Sequence, residues 1–328
     1  MKVGLDVSPL DQTLAGTARY VQGLEGTAGG DIELVRLAHR GRGRAHTVYR
    51  DVVWYPVVLP RLAGRGRVDV LHCPTFRGPL TPLACPLVVT VHDLAVLRHP
   101  ETFNQWTRHY SRLCVSRVVR AARIVIAVSE HTKQELVELL ATPAEKIRVV
   151  PNGVSDVFSP DGPAEVGDYV LAVGTLEPRK NLARLADATR RLGLELRIAG
   201  NTGWGDVRLG SDGVRLLGRV SDAELARLYR GARCLAYPSL EEGFGIPIVE
   251  AMASGTPVVT SRGGATEEVA GEAAVLVDPL DPTSIAGGTE VAQERRDELA
   301  RAGLERARAF DWAETARRTA DVYREAAA

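Results

Sequence analysis

Short runs of Val, Ile and Leu alternate with stretches of helical period along the chain, and the alternation runs through twice. In the first half, strand-length apolar runs lie at Lys2–Val7, Ile32–Ala38, Val68–His72, Leu87–His92, Ile124–Val128 and Ile147–Val150. Between them the pattern predicts helices near 17–25, 102–121 and 130–141, the last with Ser129 placed as its N-cap. The second set of runs is Tyr169–Gly174, Leu194–Ala199, Val214–Leu217, Cys234–Tyr237, Pro257–Thr260 and Ala274–Val277. Ser221 with Glu224 three residues on predicts a capping box, and Asp281-Pro282 predicts a helix start. Continuous apolar strands separated by helices mean parallel sheets covered on both faces. Residues 151–163, rich in Pro, Gly and Asp, read as a linker between two α/β domains, and Trp312–Ala328 reads as a final helix.

Three hundred and twenty-eight residues suit two such domains. Forty-one basic and 41 acidic side chains give no net charge, which points away from nucleic acid. The charge is uneven, however. Residues 1–155 carry 20 Lys and Arg against 13 Asp and Glu, a net of +7, and the remainder carries −7. Such asymmetry suits a first half that meets something anionic, or is ordinary solvated surface. Four cysteines, Cys73, Cys85, Cys114 and Cys234, have no metal-like spacing and fit buried thiols. No apolar run reaches the ~18–20 residues of a membrane span, and no signal peptide is recognised. The expectation is a cytoplasmic protein that rests on a membrane at most.

Ligands of open α/β sheets bind beyond the carboxyl ends of the strands. Glu242-Gly243-Phe244-Gly245-Ile246-Pro247-Ile248-Val249-Glu250 follows one strand. Its glycines suit a loop where backbone approaches a ligand, and Pro247 suits the first turn of a helix that Gly255 stops. The N-terminus of that helix suits phosphate. Glu242 on the loop and Glu250 on the first turn could each hold a sugar diol, or could be exposed helix-cap glutamates. Gly174-Thr175-Leu176-Glu177-Pro178-Arg179-Lys180-Asn181 follows another strand, and Arg179 and Lys180 are candidate diphosphate clamps. His92 ends the strand at 87–92, where it could bond a sugar hydroxyl or serve the fold. Gly16-Thr17 opens a helix after the first strand without the full G-x-G-x-x-G fingerprint, which disfavours a nicotinamide cofactor.

Taken together these segments resemble glycosyltransferase family 4, the retaining enzymes of GT-B architecture. The likeness includes the Glu-x7-Glu signature Glu242–Glu250 with Ala251–Val259, Leu217–Asp222, Gly263–Val269, Ser129–Lys133 and Pro151–Val154, in the family's order. It implies two Rossmann-like domains with parallel sheets facing a central cleft, an acceptor-side domain over 1–155 and a donor-binding domain over 164–310. A crossover helix at 311–328 would return to the first. The resemblance further implies that Glu250 binds the donor ribose and Glu242 the transferred sugar. The backbone of Gly243, Phe244, Gly245 and Ile246 would hold sugar and diphosphate. Lys180, with Arg179, would neutralise the diphosphate beside Gly174; Val220 and Ser221 would line the base pocket. His92 would sit by the transferred sugar, and Gly16 and Thr17 would approach the diphosphate. Thr175 stands where many members carry arginine.

The same resemblance implies retention of configuration, with the leaving phosphate as base for the acceptor hydroxyl. No Asp-x-Asp motif occurs, and no metal or other cofactor is expected. The expected donor is GDP-mannose and the expected acceptor a glycan or lipid-linked sugar. A UDP-hexose donor and a sugar-nucleotide epimerase are the alternatives. Arg108, Arg112 and Arg120 share one helix face, with Phe103, Trp106 and Tyr110 nearby, which gives the first domain a candidate anionic-membrane contact.

Overall fold

Each of the twelve apolar runs forms a strand in the computed structural model, which describes residues 1–328 except 13–15, 27–29, 42, 82, 204–206, 208 and 211. The chain divides into two units, Met1–Gly153 with Trp312–Ala328, and Val154–Asp311. The first holds β1 (Lys2–Asp6), β2 (Glu33–Leu37), β3 (Val70–Cys73), β4 (Leu87–Val91), β5 (Ile124–Ala127) and β6 (Ile147–Val149). All pair in parallel, in the order β2-β1-β3-β4-β5-β6. Strands β3, β4 and β5 are buried at every residue, as their unbroken apolar sequence requires.

The second unit holds β7 (Tyr169–Val173), β8 (Glu195–Ala199), β9 (Val214–Gly218), β10 (Leu235–Tyr237), β11 (Val258–Ser261) and β12 (Val275–Val277). Their order is β12-β11-β10-β7-β8-β9, again parallel. In each sheet the winding reverses once, between β1 and β3 in the first and between β7 and β10 in the second. Loops leaving a reversal diverge to opposite faces and open a crevice at the carboxyl ends of the strands. The family-type segments after β7 and β10 therefore flank one such crevice.

Helix signals in the sequence correspond to observed caps. Ser129 Oγ accepts from Thr132 N, and Ser221 and Glu224 form a reciprocal capping box. Asp281 caps Pro282–Glu294. The helix expected at 102–121 begins later, at Gln105, capped by Asn104 and preceded by a 3-10 turn at Pro100–Thr102. The sequence reading assigned no helix between β2 and β3, yet Arg44–Tyr49, a π-helical Arg50–Val58 and Leu59–Gly66 run there without a break. Two prolines and a wider helical repeat blur the 3.6-residue period in that stretch.

The stretch read as a linker is docked onto the second unit. Phe158 is buried edge-on against Tyr229, and Arg230 donates to the carbonyls of Ser159 and Pro163. The first unit thus ends at Gly153, and the second begins at Val154.

The final helix, Trp312–Ala327, belongs to the first unit, where Val322, Tyr323 and Ala326 pack on Val3, Val70, Val88 and Ile126. A Cβ on Gly23 would stand 2.3 Å from the Trp312 ring, so only glycine lets these two helices approach so closely. His72, fully buried on β3, locks the same helix in place. Its Nδ1 hydrogen-bonds Tyr323 Oη at 2.7 Å and its Nε2 bonds Thr90 Oγ1 at 2.8 Å, where Tyr20 Oη also bonds. Among the described residues no helix is long and apolar enough to cross a membrane.

Burial, with a smaller contribution from His92, pushes the His72 imidazole down to about 3 from its ordinary value of 6.5. The native state then resists a proton that the unfolded chain accepts. The contribution of neutral His72 is fully present above pH 6.5 and is lost as pH falls towards 3, at up to ~1.4 kcal/mol per pH unit. Urea unfolding followed from pH 7 to pH 4 should show this slope, and His72→Gln should flatten it; an unchanged slope would remove His72 as its source.

Candidate functional site

Strand β7 ends at Gly174, whose φ of +150° suits glycine, and the carbonyl of Gly174 lies 1.9 Å from where a Cβ on Gly200 would stand. The chain then makes a 3-10 turn, Pro178–Lys180, and Asn181 enters the left-handed region at φ +58°. Asn181 is buried and its Nδ2 donates to the carbonyls of Pro238 (3.0 Å) and Pro279 (2.6 Å). Leu240 N donates to Arg179 O. The loops after β7 and β10 are thereby tied together through backbone.

That tie brings four charged side chains into one cluster. Lys180 Nζ donates to Glu242 Oε1 at 2.5 Å and to Tyr237 Oη at 2.8 Å, and Tyr237 Oη donates to the same carboxylate oxygen at 2.9 Å. Arg179 donates to Glu242 Oε2 at 2.9 Å, to Glu241 O at 2.6 Å and to Glu177 Oε1 at 2.7 Å. Side-chain exposure is 9% for Glu242 and 12% for Lys180. Burial alone would push the Glu242 carboxyl up, but Arg179 and Lys180 overcome it and hold the group down at about 2. Burial lowers the Lys180 ammonium and Arg179 adds to that, while Glu242 opposes both. Glu242 is therefore a part-buried, ion-paired anion, contrary to the reading as an exposed cap. The two cations carry partners already: Glu242 for Lys180, and Glu242 with Glu177 for Arg179.

Beyond Glu242 the backbone turns at Gly245 (φ +96°) into the helix Ile246–Ala253, with Pro247 in its first turn. Gly245 has no side chain to cap this helix; Pro247 has no N–H and Ile248 N donates to Gly245 O at 2.9 Å, which leaves the N–H of Ile246 as the first-turn donor for an anion. Gly243 is buried, and the Phe244 ring is buried edge-on to Phe310, so these two contribute backbone to the loop. Glu250 stands in the second turn, not the first, because the helix starts at Ile246. It is 1% exposed and accepts from Tyr229 Oη at 3.0 Å. Val220 and Ser221 follow β9, two strands from the reversal, and the Ser221 hydroxyl serves the capping box.

The remaining candidates lie in the first unit. His92, just past β4, is half-buried, and its Nε2 stands 3.0 Å from the carbonyl of Pro74. A carbonyl only accepts, so Nε2 carries the proton and Nδ1 keeps a lone pair. Burial lowers this imidazole, against the opposing pull of Pro74 O and Asp93. The Tyr20 ring stands edge-on to it at 4.9 Å, on the helix that Gly16 and Thr17 open. Glu177, Tyr237 and Tyr229 were not singled out from the sequence. Glu177 lies inside the quoted segment, but only folding shows that the tyrosine hydroxyls reach the carboxylates.

Comparison with known proteins gives matches in both units. Residues 16–158 match Glycosyltransferase Family 4, and residues 167–292 match Glycosyl transferases group 1. The chain is 33% identical over 267 residues to O-antigen chain mannosyltransferase B of Escherichia coli, covering 72% of this chain and 70% of that one. It is 32% identical over 314 residues to a D-inositol 3-phosphate glycosyltransferase of Nocardioides, covering 80% and 68%. Among solved structures it resembles sucrose-phosphate synthase of Thermosynechococcus elongatus, with a TM-score of 0.80 at 20% identity over 99% of this chain and 98% of that one. It also resembles HepE of Anabaena in complex with UDP-glucose, with a TM-score of 0.76 at 19% identity over 99% and 100%.

Tyr229→Phe removes the hydroxyl that Glu250 accepts while keeping the ring against Phe158. The expected cost is about 1.5–3 kcal/mol, since a buried carboxylate loses a hydrogen bond. Urea or thermal unfolding measures it, and a loss below half a kcal/mol would mean that Glu250 is satisfied without Tyr229.

Proposed function

This chain belongs to glycosyltransferase family 4, and from that premise we propose that it transfers mannose from GDP-mannose to a glycan or lipid-linked acceptor with retention of configuration. The observation that carries the reading is the part-buried Lys180–Glu242–Arg179 cluster beside the uncapped N-terminus of Ile246–Ala253. Mannose is supported by the relatives named as O-antigen mannosyltransferases. A UDP-hexose is the second reading, supported by the likeness to HepE in complex with UDP-glucose.

On this reading the donor diphosphate lies against the first turn of that helix and draws Lys180 away from Glu242. The carboxylate so released accepts hydrogen bonds from hydroxyls of the hexose. As the bond from the anomeric carbon to the diphosphate breaks, negative charge builds on the leaving oxygen, and Lys180, Arg179 and the helix N-terminus stabilise it. The acceptor oxygen bonds to the anomeric carbon on the same face, and its proton passes to the departing phosphate. Glu250 takes the ribose hydroxyls and His92 Nδ1 accepts from a hydroxyl of the hexose. Lys180, Arg179 and the helix N-terminus supply the positive charge at the leaving group, so this reading requires no metal.

Glu250→Ala should weaken GDP or UDP, whichever the wild type binds, by about 1.5–3 kcal/mol. Titration calorimetry with both nucleotides measures this and identifies the base; unchanged affinity would remove Glu250 from the ribose.

Lys180→Ala should lower turnover at saturating donor by ~10²–10³. Its cost in stability should be smaller, because Arg179 still neutralises Glu242. Wild-type activity should persist in EDTA. Near-normal turnover of the variant, or loss in EDTA that magnesium restores, would overturn this account.

The reading includes contact with an anionic membrane through the helix Gln105–Ala121. Arg108, Arg112, Arg117 and Arg120 are exposed on it and pair with no carboxylate among the described residues. By contrast, Arg317 and Arg324 on Trp312–Ala327 are ion-paired. Leu113 (58% exposed) and Trp106 (40%) add apolar anchors, while Tyr110 packs inward. Pelleting with anionic vesicles should exceed that with neutral vesicles, weaken in salt, and fall when Arg108, Arg112 and Arg120 become Ser. Equal pelleting with both lipids, or none with either, would refute the contact.

A further inference from the structure

Among the side chains joined in the cluster around Glu242, Tyr237 alone stands on a strand. Glu177, Arg179 and Lys180 belong to the loop after β7, and Glu242 to the loop after β10. Tyr237 is the last residue of β10, which lies inside the sheet between β11 and β7. It pairs in register with Thr260, whose hydroxyl donates to the Tyr237 carbonyl at 3.0 Å, and it is 4% exposed. The sheet therefore fixes where the Tyr237 hydroxyl stands, whereas the charged groups depend on loops.

That hydroxyl bonds both members of the pair that the transfer reading separates. It accepts from Lys180 Nζ at 2.8 Å and donates to Glu242 Oε1 at 2.9 Å, the same oxygen that Lys180 holds. Glu242 Oε2 is held from the other side by Arg179, which Glu177 and the Glu241 carbonyl keep in place. Once Lys180 goes to a diphosphate, Oε1 keeps the phenol of these two donors. An ammonium on a four-carbon stem has three hydrogens and many poses, whereas a phenol on a strand has one hydrogen in a set place. Burial and the charge of Glu242 raise the phenol well above its ordinary range, against the opposing pull of Arg179. Tyr237 thus stays protonated and keeps its hydrogen for the carboxylate.

We propose that Tyr237 is a positioning residue for sugar transfer, its hydroxyl keeping Glu242 Oε1 in place when the diphosphate draws Lys180 away. The hexose then meets a carboxylate held at both oxygens, by Tyr237 and by Arg179. The proposal rests on the reading of this site as one for hexosyl transfer. Tyr237 acts through Glu242, so its hydroxyl matters to binding of the hexose and not to binding of the nucleoside diphosphate.

The test is Tyr237→Phe in the full chain, which keeps the ring and removes the hydroxyl, read in two arms. In the first, calorimetry titrates GDP and GDP-mannose, or UDP and UDP-glucose, whichever pair the wild type binds. The nucleotide-sugar should weaken by about tenfold or more, as for a lost hydrogen bond to a charged group, while the nucleoside diphosphate binds as before. In the second arm no donor is present, and urea unfolding compares wild type, Tyr237→Phe, Lys180→Ala and the double variant. Lys180→Ala leaves Oε1 to Tyr237, as the diphosphate would. Tyr237→Phe should therefore shift the folding equilibrium about fivefold or more further in that background than in the wild type. A double variant that fails to fold while both single variants fold is the same result, and Lys180→Met replaces Lys180→Ala if the latter does not fold. Equal shifts in the two backgrounds, an unaltered nucleotide-sugar affinity, or equal losses for nucleotide-sugar and nucleoside diphosphate would overturn the proposal. The unfolding arm needs no donor, so its failure is distinct from failure of the transfer reading, which the GDP and UDP titrations of the wild type decide.

Discussion

Glu242 sits between two cations in a site with little access to water, and the geometry of the second unit's functional edge follows from that placement. An isolated buried carboxylate would be protonated or would unfold the loop. Arg179 and Lys180 keep it ionised, and Glu177 holds Arg179 from the other side. The four charges balance, so the cluster is stable as built, and it is poised for exchange. On the function proposed above, a diphosphate would take Lys180 only by replacing what Glu242 supplies, which would couple recognition of the leaving group to release of the carboxylate for the sugar. The Asn181 staple and the Gly174–Gly200 approach matter because they fix the distances on which that coupling depends.

The first unit solves a different problem with the same sheet architecture. Its outer face is closed by a helix from the far end of the chain, and the closure is apolar with one polar lock. His72, Thr90, Tyr20 and Tyr323 satisfy one another there. A buried network whose members are all paired specifies one docking position where an apolar surface alone would allow several.

Charge is divided along similar lines. The positive excess of the first 155 residues is concentrated on the segment from Arg40 to Arg123, on the helix Gln105–Ala121 and around Asp51. The acidic side chains Glu314 and Asp321 of Trp312–Ala327 are, by contrast, paired with arginines of the same helix. A unit with unneutralised arginines favours anionic partners at long range, and this effect weakens with salt.

The sequence by itself determined the strands, because unbroken Val, Ile and Leu runs can be satisfied only by burial on both faces of a parallel sheet. It also determined the caps at Ser129, Ser221 and Asp281, whose chemistry is local, and its family resemblance singled out Glu242, Glu250, Arg179 and Lys180. What it left undecided were pairings between residues far apart in the chain. Whether Glu242 faced water or Lys180, whether Tyr229 reached Glu250, and whether His72 met Tyr323 across 251 positions all depended on strand order and loop closure. The π-helical segment was hidden for a related reason: its prolines and wider repeat give no 3.6-residue signal, and packing against β1 and β3 holds it in place. Local patterns fix elements because they act within a few residues, whereas a site assembled at a strand reversal exists only once the sheet has been ordered.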